Sequence, residues 1–150
     1  MLGRVVQWRG FSSVIVAMPK LSPTMRAGRV ATWLVKPGDL INAHDVIAHI
    51  DADDVFDASA GGITGRVEML LETHDDGVVA EVLVAAGGPD VPAGTPVALV
   101  AEDEEDVEAF RRRYHDSASR GGDADEIARR IGARVMAWQA YLHAAAGGIS

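Results

Sequence analysis

Four aspartates lie within seven consecutive positions near the middle of the chain: Asp51, Asp53, Asp54 and Asp57. Carboxylate oxygens are the ligands that hard cations prefer, and a calcium loop supplies about six to eight oxygens, usually around a glycine and with a bidentate Glu. The spacing of the four aspartates fits no such loop. The sequence therefore predicts a solvated, charged turn here and no metal site.

The other residue types that could do chemistry form no catalytic constellation. The chain has no cysteine, which excludes disulfides, thiol nucleophiles and zinc–thiolate sites. None of the five histidines lies in an HxH or HExxH pair, and no serine lies in a GxSxG turn. The sequence thus predicts no catalytic residue, no cofactor and no small-molecule substrate. The histidines are His44, His49, His74, His115 and His143.

Composition places the chain among ordinary globular proteins. It has 150 residues, of which 48% are hydrophobic and 24% charged, enough to bury a core in one domain with short extensions. The net charge of −8 argues against a nucleic-acid surface, which needs clustered Lys and Arg. No apolar run is long enough to predict a transmembrane segment.

The opening of the chain is basic, because the first acidic residue is Asp39. Residues 1–13 (MLGRVVQWRGFSS) mix apolar and basic side chains and end in serines, as mitochondrial transit peptides do. Arg9 precedes Gly-Phe-Ser in the manner of a presequence cleavage site. We expect a transit-like segment over 1–13 and a mitochondrial location, in the matrix or on the matrix side of the inner membrane. The alternative is a short arm whose composition arose by chance.

Residues 14–103 show short Val- and Ile-rich runs separated by turn residues. Turn signals include Lys36-Pro37-Gly38-Asp39 and Gly87-Gly88-Pro89-Asp90. This pattern favours an all-β sandwich or barrel over alternating strands and helices. The predicted strands are Val14–Met18, Arg29–Val35, Val46–Asp51, Gly65–Leu71, Val78–Val84 and Val97–Ala101.

An internal repeat divides this region into two similar halves. Gly28–Val35 aligns with Gly77–Val84, and Val46–Asp51 aligns with Pro96–Ala101, at an offset of 49 residues that becomes 50 after one insertion. Two copies of a strand–turn–strand unit predict a quasi-two-fold fold. Each half would cover the apolar face of the other.

Residues 104–150 are predicted to form a helical C-terminal extension. Val107, Phe110 and Tyr114 are spaced by three and four, with acids before them and cations after them, as the helix dipole favours. After a break at residues 117–122, a second amphipathic helix is predicted from a further apolar series. That series is Ile127, Ile131, Val135, Trp138 and Leu142.

The second predicted helix carries more apolar and aromatic surface than a closed barrel needs. It could pack back on the barrel or dock on a partner protein, since exposed aromatic faces favour interfaces. The sequence leaves both alternatives open. The candidate partner-binding residues are Ile131, Val135, Trp138, Tyr141 and Leu142.

Residues 18–25 (MPKLSPTM) resemble the opening of the lipoyl domains of mitochondrial 2-oxo-acid dehydrogenase acyltransferases. Residues 33–39 (WLVKPGD), 45–50 (DVIAHI) and 76–84 (DGVVAEVLV) match the same biotinyl/lipoyl-attachment family in order and spacing. The resemblance covers roughly residues 14–103. It implies a mainly β fold, a flattened lipoyl-type barrel of two four-stranded sheets with quasi-two-fold symmetry, here followed by α-helices.

The residue that carries the family's prosthetic group is missing. In the family, lipoate or biotin is attached to a lysine on a tight hairpin between the two halves, in a motif similar to ETDKA. Residues 51–55 read DADDV, so Asp54 occupies the lysine position, and a carboxylate cannot form the required amide. The only lysines, Lys20 and Lys36, belong to other matched segments. Residues 56–66 also lengthen the hairpin by about ten residues, which loosens its presentation.

The retained scaffold and the missing acceptor predict a non-catalytic protein. The first hypothesis is an accessory subunit of a large mitochondrial complex, a respiratory-chain complex or similar, with other protein subunits as partners. This hypothesis is favoured because no subunit-binding segment, swinging linker or acyltransferase domain is recognisable after the barrel. The alternative is a non-acylated component or regulator of a 2-oxo-acid dehydrogenase complex. An active lipoyl or biotin carrier is the third hypothesis, and the absent amine opposes it.

Overall fold

The computed structural model describes residues 13–20, 25–52, 67–73, 75–136 and 140–143, the last of these as backbone only. Within these ranges the chain forms ten strands and two helices, with a 3-10 turn at Glu104–Asp106 before the first helix. The strands are β1 (Val14–Ala17), β2 (Ala27–Trp33), β3 (Leu40–Ile41), β4 (Val46–Ala52), β5 (Val67–Glu72), β6 (Gly77–Val82), β7 (Val91–Pro92), β8 (Pro96–Ala101), β9 (Arg134–Met136) and β10 (Ala140–His143). The helices are α1 (Val107–Ala118) and α2 (Ala124–Ile131).

The strands form two sheets whose orders match position by position. The first sheet runs β3-β6-β8-β1-β9 and the second runs β7-β2-β4-β5-β10. Exchanging the two halves of the internal repeat converts one order into the other, so the quasi-two-fold arrangement is present. The predicted lipoyl-type two-sheet fold is confirmed. Each sheet has five strands rather than the expected four, because β9 and β10 join them.

The main core lies between the two sheets and follows the alternation of the strands. In β4, Ile50 and Ala52 are fully buried while His49 and Asp51 lie on the half-exposed face. Met69 of β5 is likewise buried, opposite Ile50 in the ladder. Burial of such side chains contributes about 1.5–3 kcal/mol each, and it fixes which face of each strand points inward.

A second core lies on the outer face of the first sheet, beneath the two helices. Ile15 of β1 and Leu99 of β8 are fully buried there against Phe110 of α1 and Ile127 of α2. These strands are therefore covered on both faces, which explains why β1 and β8 are continuous apolar runs without alternation. The helices are part of the same packed body as the barrel.

Both helices begin near the predicted positions, and α2 has a complete capping box. The carboxylate of Asp123 accepts the N–H of Glu126 at 2.9 Å, and the carboxylate of Glu126 accepts the N–H of Asp123 at 3.0 Å. No helix in the described ranges has the length and apolar character needed to cross a bilayer.

The prediction of one long second helix through Leu142 is wrong beyond Ile131. Gly132 has φ +74°, and its N–H bonds to the carbonyl of Ala128, which ends α2. The chain then pairs with the barrel: β9 lies parallel to β1, and β10 lies antiparallel to β5. The spacing of apolar residues continued past Gly132, but the unpaired backbone groups at the edges of β1 and β5 outweigh that local helical preference. The C-terminal extension is thus helical only in its first part.

Candidate functional site

The candidate site is the hairpin that joins β4 to β5, where the family places its prosthetic group. The β4–β5 ladder ends with Ala52 opposite Val67, so the tip of the hairpin begins immediately after Ala52. Asp53, Asp54, Asp57 and the lengthened segment 56–66 lie outside the described residues. We call the end of the barrel that bears this tip the tip end.

Charged side chains form a row across the outer face of the second sheet just below the tip. Arg29 of β2 donates to Asp51 of β4 over 3.2 Å, and Asp51 lies opposite Glu68 of β5 in the ladder. The Nδ1 atom of His49 lies 3.6 Å from a carboxylate oxygen of Glu68. Asp51 is therefore an ion-pair partner of Arg29 within the sheet. Within the described ranges no three His, Asp or Glu side chains group as a metal site would need.

The two lysines lie at opposite ends of the barrel. Lys36 follows β2 at the end away from the tip, and its Nζ atom lies 3.1 Å from Asp39. The backbone N–H of Lys36 donates to the same carboxylate and, with the side-chain contact, holds the pKa of Asp39 below its ordinary value. Lys36 thus belongs to a surface turn that an ion pair and a backbone hydrogen bond fix.

Lys20 follows β1 and lies at the tip end of the barrel. The neighbouring Met18 places its sulfur 2.9 Å from the point where a Cβ on Gly28 would lie, and Gly28 pairs with Ala52 at the root of the tip. Within the described ranges Lys20 has no ion-pair partner. Lys20 follows a strand of the first sheet, whereas the hairpin joins two strands of the second.

Lys20 lines a cleft of about 860 Å³ between the barrel and the helices. Its walls include the turn before β8 and the start of α2, and Tyr114 and Ile127 contribute from the helices. Burial, followed by the charge of Glu81, raises the pKa of Tyr114, so its phenol stays neutral at physiological pH. The cleft therefore offers an ammonium group, a neutral phenol and the carboxylates of Asp123 and Asp125, of which Asp123 already caps α2.

A third polar cluster fixes α1 to β6, and sequence analysis missed it. Both His115 and Arg111 contact one carboxylate oxygen of Glu81, at 2.7 Å and 3.3 Å. Arg111 is 30 positions and His115 is 34 positions from Glu81 along the chain. The only sequence signal was the four-residue spacing of Arg111 and His115 on one helix face, which does not name a partner.

The predicted partner-binding residues are distributed differently from the prediction. Ile131 ends α2 and Val135 lies in β9, and both pack against the second core. Tyr141 and Leu142 lie in β10, opposite Leu70 and Met69 of β5 in the ladder. Trp138 lies outside the described residues. The single docking helix that would have presented all of them does not exist.

Comparison with known proteins finds a family model and several relatives that match the barrel. A family model described as a biotin-requiring enzyme domain matches residues 14–56. The dihydrolipoyllysine-residue acetyltransferase component of the mitochondrial pyruvate dehydrogenase complex is 36% identical over 73% of this chain in Caenorhabditis elegans and 38% identical over 70% in Saccharomyces cerevisiae. The mitochondrial pyruvate dehydrogenase protein X component of Mus musculus is 32% identical over 69% of the chain. The matches span 19%, 20% and 20% of those relatives, so the chain corresponds to about a fifth of each.

Proposed function

We propose a role that starts from one premise: this chain carries a lipoyl-type domain, homologous to the lipoyl domains of dihydrolipoyllysine acetyltransferases. From that premise we infer a non-acylated, lipoyl-like component or regulator of a mitochondrial 2-oxo-acid dehydrogenase complex. The domain would be recognised for its shape and would carry no acyl group.

The missing amine is the observation that carries this proposal. Attachment of lipoate or biotin forms an amide, which needs a primary amine as the nucleophile. Asp54 occupies the acceptor position, and the only lysines are Lys20 and Lys36. Lys36 belongs to a turn at the far end of the barrel, and Lys20 lies on the other sheet. The hairpin sequence, residues 53–66, contains no lysine that a carrier function could use.

The names of the similar proteins favour a dehydrogenase complex as the assembly to which this chain belongs. Two of the relatives described above are named as the acetyltransferase component of a pyruvate dehydrogenase complex, and the third is named as the pyruvate dehydrogenase protein X component. This similarity favours the dehydrogenase hypothesis over the respiratory-chain assembly that the sequence first suggested, and we do not retain the latter. The mitochondrial relatives and the basic segment 1–13 together support a mitochondrial location.

Affinity purification from mitochondria, with intact-mass spectrometry of the recovered chain, tests both parts of the proposal. We expect dehydrogenase-complex subunits to co-purify and the chain to lack any lipoyl or biotinyl increment. A matched control is Ile50→Asp, which places a carboxylate in the fully buried core and should abolish co-purification. Recovery of respiratory-chain subunits alone would contradict the choice of complex. A prosthetic group on Lys20 or Lys36 would contradict the non-acylated role.

A further inference from the structure

Two large apolar side chains are notably exposed in the part of the chain that the structure describes. Leu40 of β3 is 69% exposed, and Leu34, just after β2, is 49% exposed. Leu34 follows β2, which begins beside Ala52 at the root of the tip, so Leu34 lies at the end of the barrel away from the tip. Leu40 pairs with Val78, and Val78 pairs with Ala101, the last residue of β8. Because β8 begins at the tip end, opposite Ala17 of β1, Leu40 also lies away from the tip. Single exposed leucines are common on protein surfaces, so what lies beside each one decides its meaning.

Leu40 stands at the mouth of a groove of about 540 Å³, whereas Leu34 does not line it. The walls of the groove are β3, the start of β6 and the segment 102–105 that follows β8. In addition, β3 is the outermost strand of the first sheet, so its outer backbone edge has no strand beside it among the described residues. The groove lies on the side of β3 that faces β6 and the segment 102–105, so Leu40 contributes its side chain to the groove, whereas the open edge of β3 lies on the opposite side.

Every charged side chain that lines the groove is a carboxylate. Two are satisfied locally: Asp76 accepts the N–H of Ala43 at 2.8 Å, and Asp103 accepts the N–H of Asp106 at 3.2 Å. The other three have no hydrogen-bond or ion-pair partner among the described residues, and they are Glu102, Glu104 and Glu105. Unpaired like charges around an exposed leucine favour a cationic, partly apolar ligand.

We propose that this Leu40 groove docks a basic segment of a partner protein, with an apolar residue placed against Leu40. Leu40 would supply the apolar contact, and the three glutamates would pair with Lys or Arg side chains. The groove lies at the opposite end from the hairpin tip. This docking proposal therefore does not depend on the proposed function. If both are correct, the groove is a second surface through which the domain contacts protein partners.

Other occupants fit the groove less well. A second copy of the chain would carry the same charge of −8 and bring carboxylates against carboxylates. The chain's own residues 1–12 are basic and apolar, but the sequence predicts them to be a transit segment that is removed on import. A partner in trans is therefore the occupant to which we commit.

Fluorescence anisotropy with a labelled KLKVKLKV peptide and a matched ELEVELEV peptide tests the proposal on the full chain. We expect only the basic peptide to bind. Leu40→Ser should weaken it by about tenfold, since burial of a leucine is worth at least that factor, while the control Leu34→Ser leaves binding unchanged. Both leucines are exposed, so neither change threatens folding.

A charge-matched pair of variants separates this groove from general attraction to an acidic protein. The double variant Glu104→Lys, Glu105→Lys should abolish binding. The control double variant Asp116→Lys, Asp125→Lys changes two exposed helix positions outside the groove. It should weaken binding by less than roughly threefold at about 0.15 M salt, because charges far from the bound peptide are largely screened. Equal losses in the two pairs would overturn the proposal. Binding seen only after removal of residues 1–12 would show an occupant in cis, and a dimer lost in Leu40→Ser would show a second copy; either result also overturns it.

Discussion

The Nε2 atom of His115 lies 2.7 Å from the Oε1 atom of Glu81, and this contact joins α1 to the outer face of β6. Arg111 reaches the same oxygen from one turn earlier, with its Nε atom 3.3 Å away. Glu81 is only 24% exposed at its side chain. The helical part of the extension is thus attached to the barrel by a partly buried carboxylate as well as by the apolar contacts of Phe110.

Substitution of Glu81 by glutamine should lower stability in a pH-dependent way. Burial alone would raise the pKa of Glu81, but hydrogen bonds and charges from His115 and Arg111 outweigh burial and hold the pKa below its ordinary value of 4.5. A depressed folded pKa gives stabilisation that is complete above the unfolded pKa and is lost as pH falls through the folded one. We expect Glu81→Gln to reduce the free energy of unfolding by about 1 kcal/mol at pH 7.

Urea unfolding of both proteins between pH 3 and pH 7 measures this effect. The difference between the parent and Glu81→Gln should begin to shrink as pH falls below the ordinary pKa of 4.5, and it should be lost once pH falls through the lower pKa at which Glu81 of the folded parent becomes protonated. Glu102→Gln is the matched control, because Glu102 is exposed. A difference that stays constant across this pH range would exclude an ionic contribution from Glu81.

The two glycines that open the repeated halves should respond differently to alanine. A Cβ on Gly77 would lie 2.6 Å from Val100 Cγ1 and 2.9 Å from the carbonyl oxygen of Ala101, and backbone cannot move away cheaply. A Cβ on Gly28 would meet the flexible end of Met18 at 2.9 Å instead. We expect Gly77→Ala to cost about 1–3 kcal/mol and Gly28→Ala clearly less. Thermal unfolding of both variants measures this, and equal losses would contradict the explanation.

Removal of residues 133–150 should destabilise the barrel and make it self-associate. The truncation removes β9 and β10 and leaves β1 and β5 as open edges, which are templates for pairing with another chain. We expect a loss of roughly 2–4 kcal/mol, since Val135 and Met136 also leave the two cores. Sedimentation velocity at several concentrations would detect the association. A control that removes only residues 144–150 should stay monomeric, and a monomeric, equally stable truncation would count against the role of these strands.

Restoring the acceptor should not by itself restore modification. Asp54→Lys supplies the amine, but the sequence predicts a hairpin about ten residues longer than in the family, and long loops present a side chain to a ligase less rigidly. We expect little lipoylation of Asp54→Lys on co-expression with a lipoate–protein ligase, and substantial lipoylation when residues 56–65 are deleted as well. Intact-mass spectrometry measures the modified fraction. Complete modification of the single variant would show that only the lysine was missing.

The barrel could be predicted from sequence because its signals are local. Alternation along β4 and the turn at residues 36–39 are each contained in a few residues, and the repeat tied Gly28 to Gly77. β3 and β7 were missed because two residues are too few to show a period. They form because their neighbours in the sheets supply hydrogen bonds.

The C-terminal part could not be predicted, because its structure depends on edges made elsewhere. Val135 continues the apolar spacing that begins at Ile127, yet it lies in a strand beside Ile15. Likewise, the contact of Glu81 with His115 joins residues 34 positions apart and has no motif. Both features follow from tertiary packing, which overrides local preference.

The strands β9 and β10 reduce the exposure of backbone amides in β1 and β5 to solvent. Without them, β1 and β5 would be outermost strands whose backbone amides open to water by local fraying. With a neighbour on each side, both become interior strands. Their amide hydrogens should therefore exchange as slowly as those of β4 and β8, and the most protected part of this molecule should run across both sheets rather than along a single central pair.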